Sequence, residues 1–397
     1  MKILLPNHFP LQGSGSGIYV LNLAQELLKA GHEPYVIVPD HKPVEGLPFP
    51  VKTILFADDT GSTAGLDFNF PCFTTHPRSN TTFYELSDEQ MQSYIDAWRV
   101  AIDEVVTEFK PDIIHAHHVW ITSFVASTFS DIPYVVSCHG TDLMGFENDE
   151  RYTKLALTAA KKAKAVIAIS RQIQGRIVEC YGIPVDKAPL IWNGFDKDIF
   201  RVIPEVDRNE VLSELGLTPF SEPIISFVGK FTDFKGIDVL LKAAARYEKE
   251  LPGVRTLLAG QGALWDDLHA LCEEQNLKGV HFLGHQSQAL LAKLYNIASV
   301  SIVPSRIEPF GLVAVEALAC GTPVVATDAG GLPDFINDTI GALVPVGDEE
   351  ALASAIINEV STNTKQTKGQ TAAAYALEGF SWETQVGHMI DLYRNVL

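Results

Sequence analysis

Residues 298–325 read "ASVSIVPSRIEPFGLVAVEALACGTPVV". The stretch has the form strand, loop, helix, strand. Val300–Val303 is a short β-branched run that is apolar at most positions. Pro304 and Pro309 punctuate a polar loop, and a helix is expected from near Phe310 to Leu312. Gly321 stands where a helix-ending glycine belongs, with Pro323 two residues on. The next strand follows at once. Strands that are apolar on both faces and separated by a helix run parallel inside a β-α-β unit.

The same pattern repeats in both directions. The first half carries "KILLP", "PYVIVP", "DIIHAH", "PYVVSCHG" and "AVIAIS". The second carries "PIISFVG", "RTLLAGQG", "VHFLG", "ASVSIVPS", "PVVATD" and "GALVPVG". Each half is therefore expected to be its own α/β, Rossmann-like, doubly wound parallel sheet. Ligands bind beyond the carboxyl ends of such strands, so two facing sheets would form a cleft between them. The expected domains are 1–203 and 204–380, joined by the polar segment 193–207, with a terminal helix at 381–397 free to pack back on the first domain. Residues 57–86 show no periodicity and are read as a long loop, facing an acceptor or ornamental. Ser87 and Gln90 have capping-box spacing and open a helix to about Phe109.

Composition bounds the partners. The 397 residues carry a net charge of −19, which repels nucleic acid and anionic lipid. One basic cluster, Arg151, Lys154, Lys161, Lys162, Lys164, Arg171 and Arg176, reads as a solvated helix face rather than a membrane or partner contact. The cysteines Cys72, Cys138, Cys180, Cys272 and Cys320 are scattered, with no CxxC pair. They imply a reducing compartment. The opening residues read as a strand rather than a secretion signal, and no apolar run approaches transmembrane length. A cytoplasmic protein is expected.

Several strand ends carry chemistry. Gly13, Gly15 and Gly17 precede an amphipathic helix, whose free N–H groups and dipole suit a phosphate. The spacing is not GxGxxG, and a tight turn is the competing reading. In "FVGKFTDFKGID" a strand ends at Gly229, and Lys230 and Lys235 bracket a polar turn, as a clamp on a diphosphate would. Gly260 and Gly262 make room for a flat base or ribose, or serve packing alone. "SCHGTDL" places His139 at a strand end, followed by Gly140 and Thr141. His115, His117 and His118 read as a hydrogen-bonded strand end rather than a metal site. Glu308 falls in a loop. Glu316 falls one turn inside a helix among small apolar residues, where a carboxyl group needs a hydroxyl or N–H partner. A ribose diol would supply it, and the amides of Phe310, Gly311 and Leu312 could meet phosphate.

Together these residues resemble the retaining glycosyltransferases of family 4, with the GT-B fold, over essentially the whole chain. The signature is the E-x7-E pattern of Glu308 and Glu316, supported by "GKFTDFKG", "AGQG", "HGTDL" and "NGFDKDIF" in the family's order. The resemblance implies that Glu308 binds donor-sugar hydroxyls and Glu316 the ribose diol. Lys230 and Lys235 would hold the diphosphate, and Ser14, Gly15 and Ser16 would close over it. His139 would stand between donor sugar and acceptor. It implies metal-independent front-face transfer, no cofactor, a nucleotide-sugar donor (uridine first, guanosine and adenosine open) and a hydroxyl acceptor, a soluble one preferred to a lipid. Three departures stand out: Lys230 where many members have arginine, Ala263 where a proline is frequent, and GSGSG in place of a plain Gly-Gly. The alternatives are a nucleotide-sugar epimerase or hydrolase on the same architecture, and a non-catalytic sugar-nucleotide sensor. A pyridoxal-phosphate phosphorylase lacks a suitably placed lysine.

Overall fold

The structure is a computed structural model that describes every residue except 62–64, 75 and 147. Part of the aperiodic stretch 57–86 therefore lies outside the described residues. The chain divides into two compact units, residues 1–192 with 385–397, and residues 193–384.

In the first unit, β1 (Lys2–Pro6), β2 (Glu33–Asp40), β3 (Val51–Leu55), β4 (Ile113–His117), β5 (Tyr134–Cys138) and β6 (Ala165–Ala168) form one sheet in the order β3-β2-β1-β4-β5-β6. Every pairing in it is parallel. β3 is not among the runs expected from the sequence, because "VKTIL" is a half-buried edge strand with only Ile54 fully inside. β4, β5 and β6 are buried along their whole length, which is what runs apolar on both faces require.

The second unit repeats the plan. Its strands are β7 (Ile224–Val228), β8 (Arg255–Ala259), β9 (Val280–Gly284), β10 (Val300–Val303), β11 (Val324–Thr327) and β12 (Gly341–Val344), in the order β12-β11-β10-β7-β8-β9. These too are parallel throughout. In both sheets the order reverses beside the first strand, between β1 and β4 and between β7 and β10. Those reversals are the switch points at which open α/β sheets take ligands.

The unit boundaries differ from the expected 203/204 and 380/381. Residues 193–203 belong with the second unit. Phe195 N donates to Phe380 O (3.0 Å) and Trp382 N to Phe195 O (3.2 Å), while Asn296 Nδ2 donates to Arg201 O (2.9 Å). Gly194 lies flat on the Trp382 ring, where an added Cβ would come within 2.4 Å. A polar linker has thus been caught by backbone pairing. The helix Trp382–Val396 passes into the first unit at Gln385. Val386, Met389, Ile390 and Tyr393 are buried there, one apolar stripe at i, i+3, i+4, i+7 spacing. Tyr393 Oη also bonds His115 Nδ1 on β4, at 2.6 Å.

Candidate active site

In the second unit the loops after β7 and β10 meet at the switch point. Lys235 Nζ donates to Glu308 Oε2 at 2.6 Å, and Ser305 Oγ donates to the same oxygen at 3.1 Å. Glu308 is buried. Its backbone is also clamped, since Gly331 N donates to Glu308 O (3.0 Å) and a Cβ on Gly330 would sit 1.7 Å from that oxygen. Thr327 Oγ1 donates to Ser305 O at 2.6 Å, tying β11 to the loop. Beside this, Arg306 forms a fork with Asp238, NH1 to Oδ1 at 2.8 Å and NH2 to Oδ2 at 2.7 Å. Lys235 is thus ion-paired within its own unit. Lys230 is exposed at the end of the β7 loop.

The helix Leu312–Ala319 opens on Gly311, whose φ is 108°. Only glycine adopts that conformation without strain. A Cβ there would also meet Leu332 Cδ2 at 2.6 Å. The turn leaves Phe310 buried and Leu312 partly exposed. Glu316 follows inside the helix and is 7 % exposed. Burial alone pushes its carboxyl group up from 4.5 to about 8. No described residue hydrogen-bonds that carboxyl group, a costly state for a buried polar group.

Gly229, Gly260 and Gly262 stand at the ends of β7 and β8. Gly260 has φ 148°, and a Cβ there would lie 1.8 Å from Gly229 O; one on Gly262 would lie 2.3 Å from Phe231 O. Close packing of the two turns already requires glycine at 260 and 262, while a Cβ on Gly229 would meet only the Phe227 ring at 3.1 Å.

In the first unit the loop after β1 carries three glycines with different tasks. Gly13 (φ +91°) would strike His76, and Gly17 would meet Pro10 O at 2.0 Å. Gly15 has no atom within 4 Å of its absent Cβ. Ser14 Oγ caps the helix Gly15–Lys29 by accepting from Gly17 N at 3.0 Å. Ser16 is partly exposed beside it. Arg78, in the long loop, binds Asp40 at the end of β2 through both carboxylate oxygens (2.9 and 3.2 Å) and Gln12 O at 3.2 Å. These residues, with Glu45 and Leu47, line a cavity of about 230 Å³. The described part of the long loop packs Phe70, Phe73 and Phe83 into the unit.

The loop after β5 presents His139, Gly140 and Thr141. Its shape depends on Asp142, which the sequence reading did not single out as a site residue. This fully buried carboxylate accepts from Gly140 N (2.9 Å) and Val119 N (2.8 Å). Its spacing, two residues after a glycine of φ 94°, was the available signal. His139 Nε2 lies 3.2 Å from His117 Nδ1. Burial lowers His139 to about 3 and His115 to about 3, and drives His117, His118 and His8 downward as well, so the cluster is neutral. His115 also bonds Ser137 Oγ at 2.8 Å. Among the described residues no group of three His, Cys, Asp or Glu is placed to hold a metal ion. The basic cluster is partly neutralised: Arg151 pairs with Asp149 and Asp88, and Arg176 with Glu179. No described helix is long and apolar enough to cross a membrane.

Two six-stranded Rossmann-type sheets, each parallel throughout and flanked by helices, define the GT-B class of glycosyltransferase fold. Solved structures agree. Sucrose-phosphate synthase of Thermosynechococcus elongatus superposes with a TM-score of 0.76 at 24% identity, covering 100% of this chain and 99% of that one. Anabaena HepE, solved in complex with UDP, gives 0.75 at 22% identity, covering all of both chains.

Sequence comparison goes further. Residues 216–375 match glycosyl transferases group 1, and residues 13–199 match Glycosyltransferase Family 4. An uncharacterized glycosyltransferase of Methanocaldococcus jannaschii is 30% identical over 72% of this chain and 75% of its own length. The D-inositol 3-phosphate glycosyltransferase of Segniliparus rotundus is 30% identical over 82% of this chain and 76% of its own. That of Mycobacterium tuberculosis is 32% identical over 72% of this chain, which spans 62% of that relative. The chain belongs to the group 1, family 4-like glycosyltransferases and is an enzyme of the hexosyltransferase type.

Proposed function

We propose that this enzyme moves a hexosyl group, with retention of anomeric configuration, from a nucleotide-diphosphate sugar to a hydroxyl of a soluble acceptor. The observation that carries the reading is Glu316, a buried carboxyl group without a partner among the described residues, set one helix turn beyond the Lys235–Glu308 pair. A ribose diol offers Glu316 two O–H donors. The donor sugar's hydroxyls take Glu308, and the diphosphate takes Lys235, Lys230 and the amides opening the helix at Leu312. A UDP-sugar is the favoured donor, because HepE was solved with UDP and with UDP-glucose.

In the transfer step the acceptor oxygen bonds to the anomeric carbon as the bond to the diphosphate oxygen breaks. The electron pair of that bond leaves with the diphosphate, whose oxygen takes the acceptor's proton. Fixed cations and helix-start amides meet the charge as it develops, which is preorganised stabilisation. On this reading the chemistry calls for no metal or cofactor. Within the first unit, Ser14, Gly15 and Ser16 form a helix start suited to phosphate, with Gly15 leaving room for it. His139, Gly140 and Thr141, at the end of β5, are that unit's other substrate-contacting group. The cavity of about 230 Å³ lined by Asp40, Glu45 and Arg78 suits a small, hydroxyl-rich acceptor ring.

A thermal-shift panel of UDP-, GDP- and ADP-sugars, followed by an acceptor screen read by mass spectrometry, tests this. A UDP-sugar should raise the melting temperature, and a glycosylated product should keep the donor's anomeric configuration. Stabilisation by none of the three nucleotides, or an inverted product, would sink the reading.

A further inference from the structure

The contact between His117 and His139 bears on a protonation state that matters for the transfer step. Both rings are neutral in the buried cluster, so each carries one N–H. Only one proton can occupy the 3.2 Å contact between His117 Nδ1 and His139 Nε2. His117 is fully buried, and its Nε2 has no hydrogen-bond partner among the described residues. If His139 donated across the contact, His117 would have to carry its own hydrogen on that buried, partnerless Nε2. An orphaned buried donor carries its full desolvation penalty, and unpaired buried N–H groups are rarer than under-used acceptors. If His117 donates instead, only a lone pair is left without a partner. The hydrogen of His139 then sits on Nδ1, on a ring that is only partly buried.

The surrounding contacts hold both rings. Tyr19 packs edge-on against them, 5.6 Å from His117 and 5.0 Å from His139 between centroids. His115, anchored at both nitrogens, lies 4.5 Å from the His117 ring. His118 lies 4.6 Å from the His139 ring on the other side, its Nδ1 3.9 Å from Asp142 Oδ1.

We infer that His117 is a positioning residue: its Nδ1–H donates to His139 Nε2 and holds His139 as the Nδ1–H tautomer, which presents a hydrogen-bond donor, not a base, to the reacting groups. This rests on the transfer reading given above and adds a constraint to it. A donor at that place can bind a sugar or acceptor oxygen but cannot take the acceptor's proton. That proton must go to the departing diphosphate oxygen.

Histidine tautomers are read directly from long-range 1H–15N spectra of deuterated protein carrying 15N-labelled histidine. The His139 signals are those lost in H139N. Unprotonated Nε2 and protonated Nδ1 are expected from about pH 6 to pH 8, and the opposite assignment overturns the inference. Two variants of His117 then separate donation from packing. H117N keeps an N–H near the place of Nδ1 and should preserve the His139 tautomer. H117D offers only acceptors and should move the His139 hydrogen to Nε2. With UDP-glucose as the probe, H117N should turn over within about 3-fold of the parent. H117D should lose about 10–100-fold in kcat with KM within about 3-fold. Equal losses in two variants that melt like the parent would overturn the inference. Full turnover by H139A would instead defeat the transfer reading of this loop. The spectra decide the tautomer whether or not UDP-glucose is consumed.

Discussion

Lys235 and Glu308 are joined by a 2.6 Å ion pair across the point where the strand order of the second sheet reverses. The lysine comes from the loop after β7 and the glutamate from the loop after β10. Each therefore fixes the other at that switch point. Exchanging Lys235 for methionine keeps the stem and removes the charge. Turnover of the donor should fall about 10²–10³-fold, the usual cost of losing one transition-state donor. The Glu308 side chain is only 8% exposed, so the variant leaves a buried carboxylate with Ser305 as its remaining partner, and the melting temperature should fall as well. Steady-state kinetics beside a melting curve measure both, and unchanged turnover would rule out a role for this pair in catalysis.

Glu316 supplies a pH signature. Its folded-state pKa is raised to about 8 from 4.5. The unfolded chain ionises first, so this group's contribution to stability is complete below about 4.5 and is lost as pH rises through about 8. E316Q should flatten that decline. Hydroxyl donors from a bound nucleoside favour the charged carboxylate, so UDP binding should release a proton and tighten with rising pH across the same window. Calorimetry in buffers of different ionisation enthalpy reads the proton, and no proton release in the parent enzyme would contradict the assignment.

Gly15 and Gly17 should respond in opposite ways to alanine. In Gly17→Ala the new Cβ would meet Pro10 O at 2.0 Å, so the helix start must shift and stability should drop by about 2 kcal/mol or more. In Gly15→Ala nothing lies within 4 Å, and helix propensity favours alanine by up to about 1 kcal/mol. That variant should melt no lower than the parent yet bind UDP more weakly. Equal UDP affinity in G15A and parent would remove the loop from the phosphate site.

Lys365 is a structural counterpart to these residues. Its Nζ donates to Tyr295 O (3.1 Å), Asn296 O (2.7 Å), Ala298 O (2.6 Å) and Thr322 Oγ1 (3.0 Å), and burial lowers it from 10.5 to about 8. Its contribution is present above about 10.5 and falls as pH drops through about 8. K365M would strand these acceptors and should cost about 2–4 kcal/mol. Chemical denaturation of the two proteins at several pH values checks both the loss and its slope.

Much of this was legible in the residues. The β-α-β rhythm, the capping box at Ser87 and Gln90, and the helix stop at Gly321 are local signals, and all three are present in the fold. The placement of His139, Lys235, Glu308 and Glu316 at strand ends or helix starts followed from the same rhythm. β3 escaped because an edge strand is half-buried and carries weak alternation. Asp142 and Arg78 escaped because a charged residue in a loop reads as solvated until its buried partners are known. The glycines at 260 and 262 left room for a ligand or packing alone as readings, and the backbone contacts their missing side chains permit are visible only in the fold.

The sequence by itself determined which segments become strands and helices, and so that two parallel sheets form, because periodicity, capping and glycine tolerance act over a few residues. Tertiary structure alone decided which strand ends become neighbours. Lys235 meets Glu308 over 73 positions of chain, and His117 meets His139 over 22. The last helix returns to the first unit through Tyr393 and His115, 278 positions apart. Those meetings follow from the order in which strands pair and from which apolar faces find cover, and no local period encodes either.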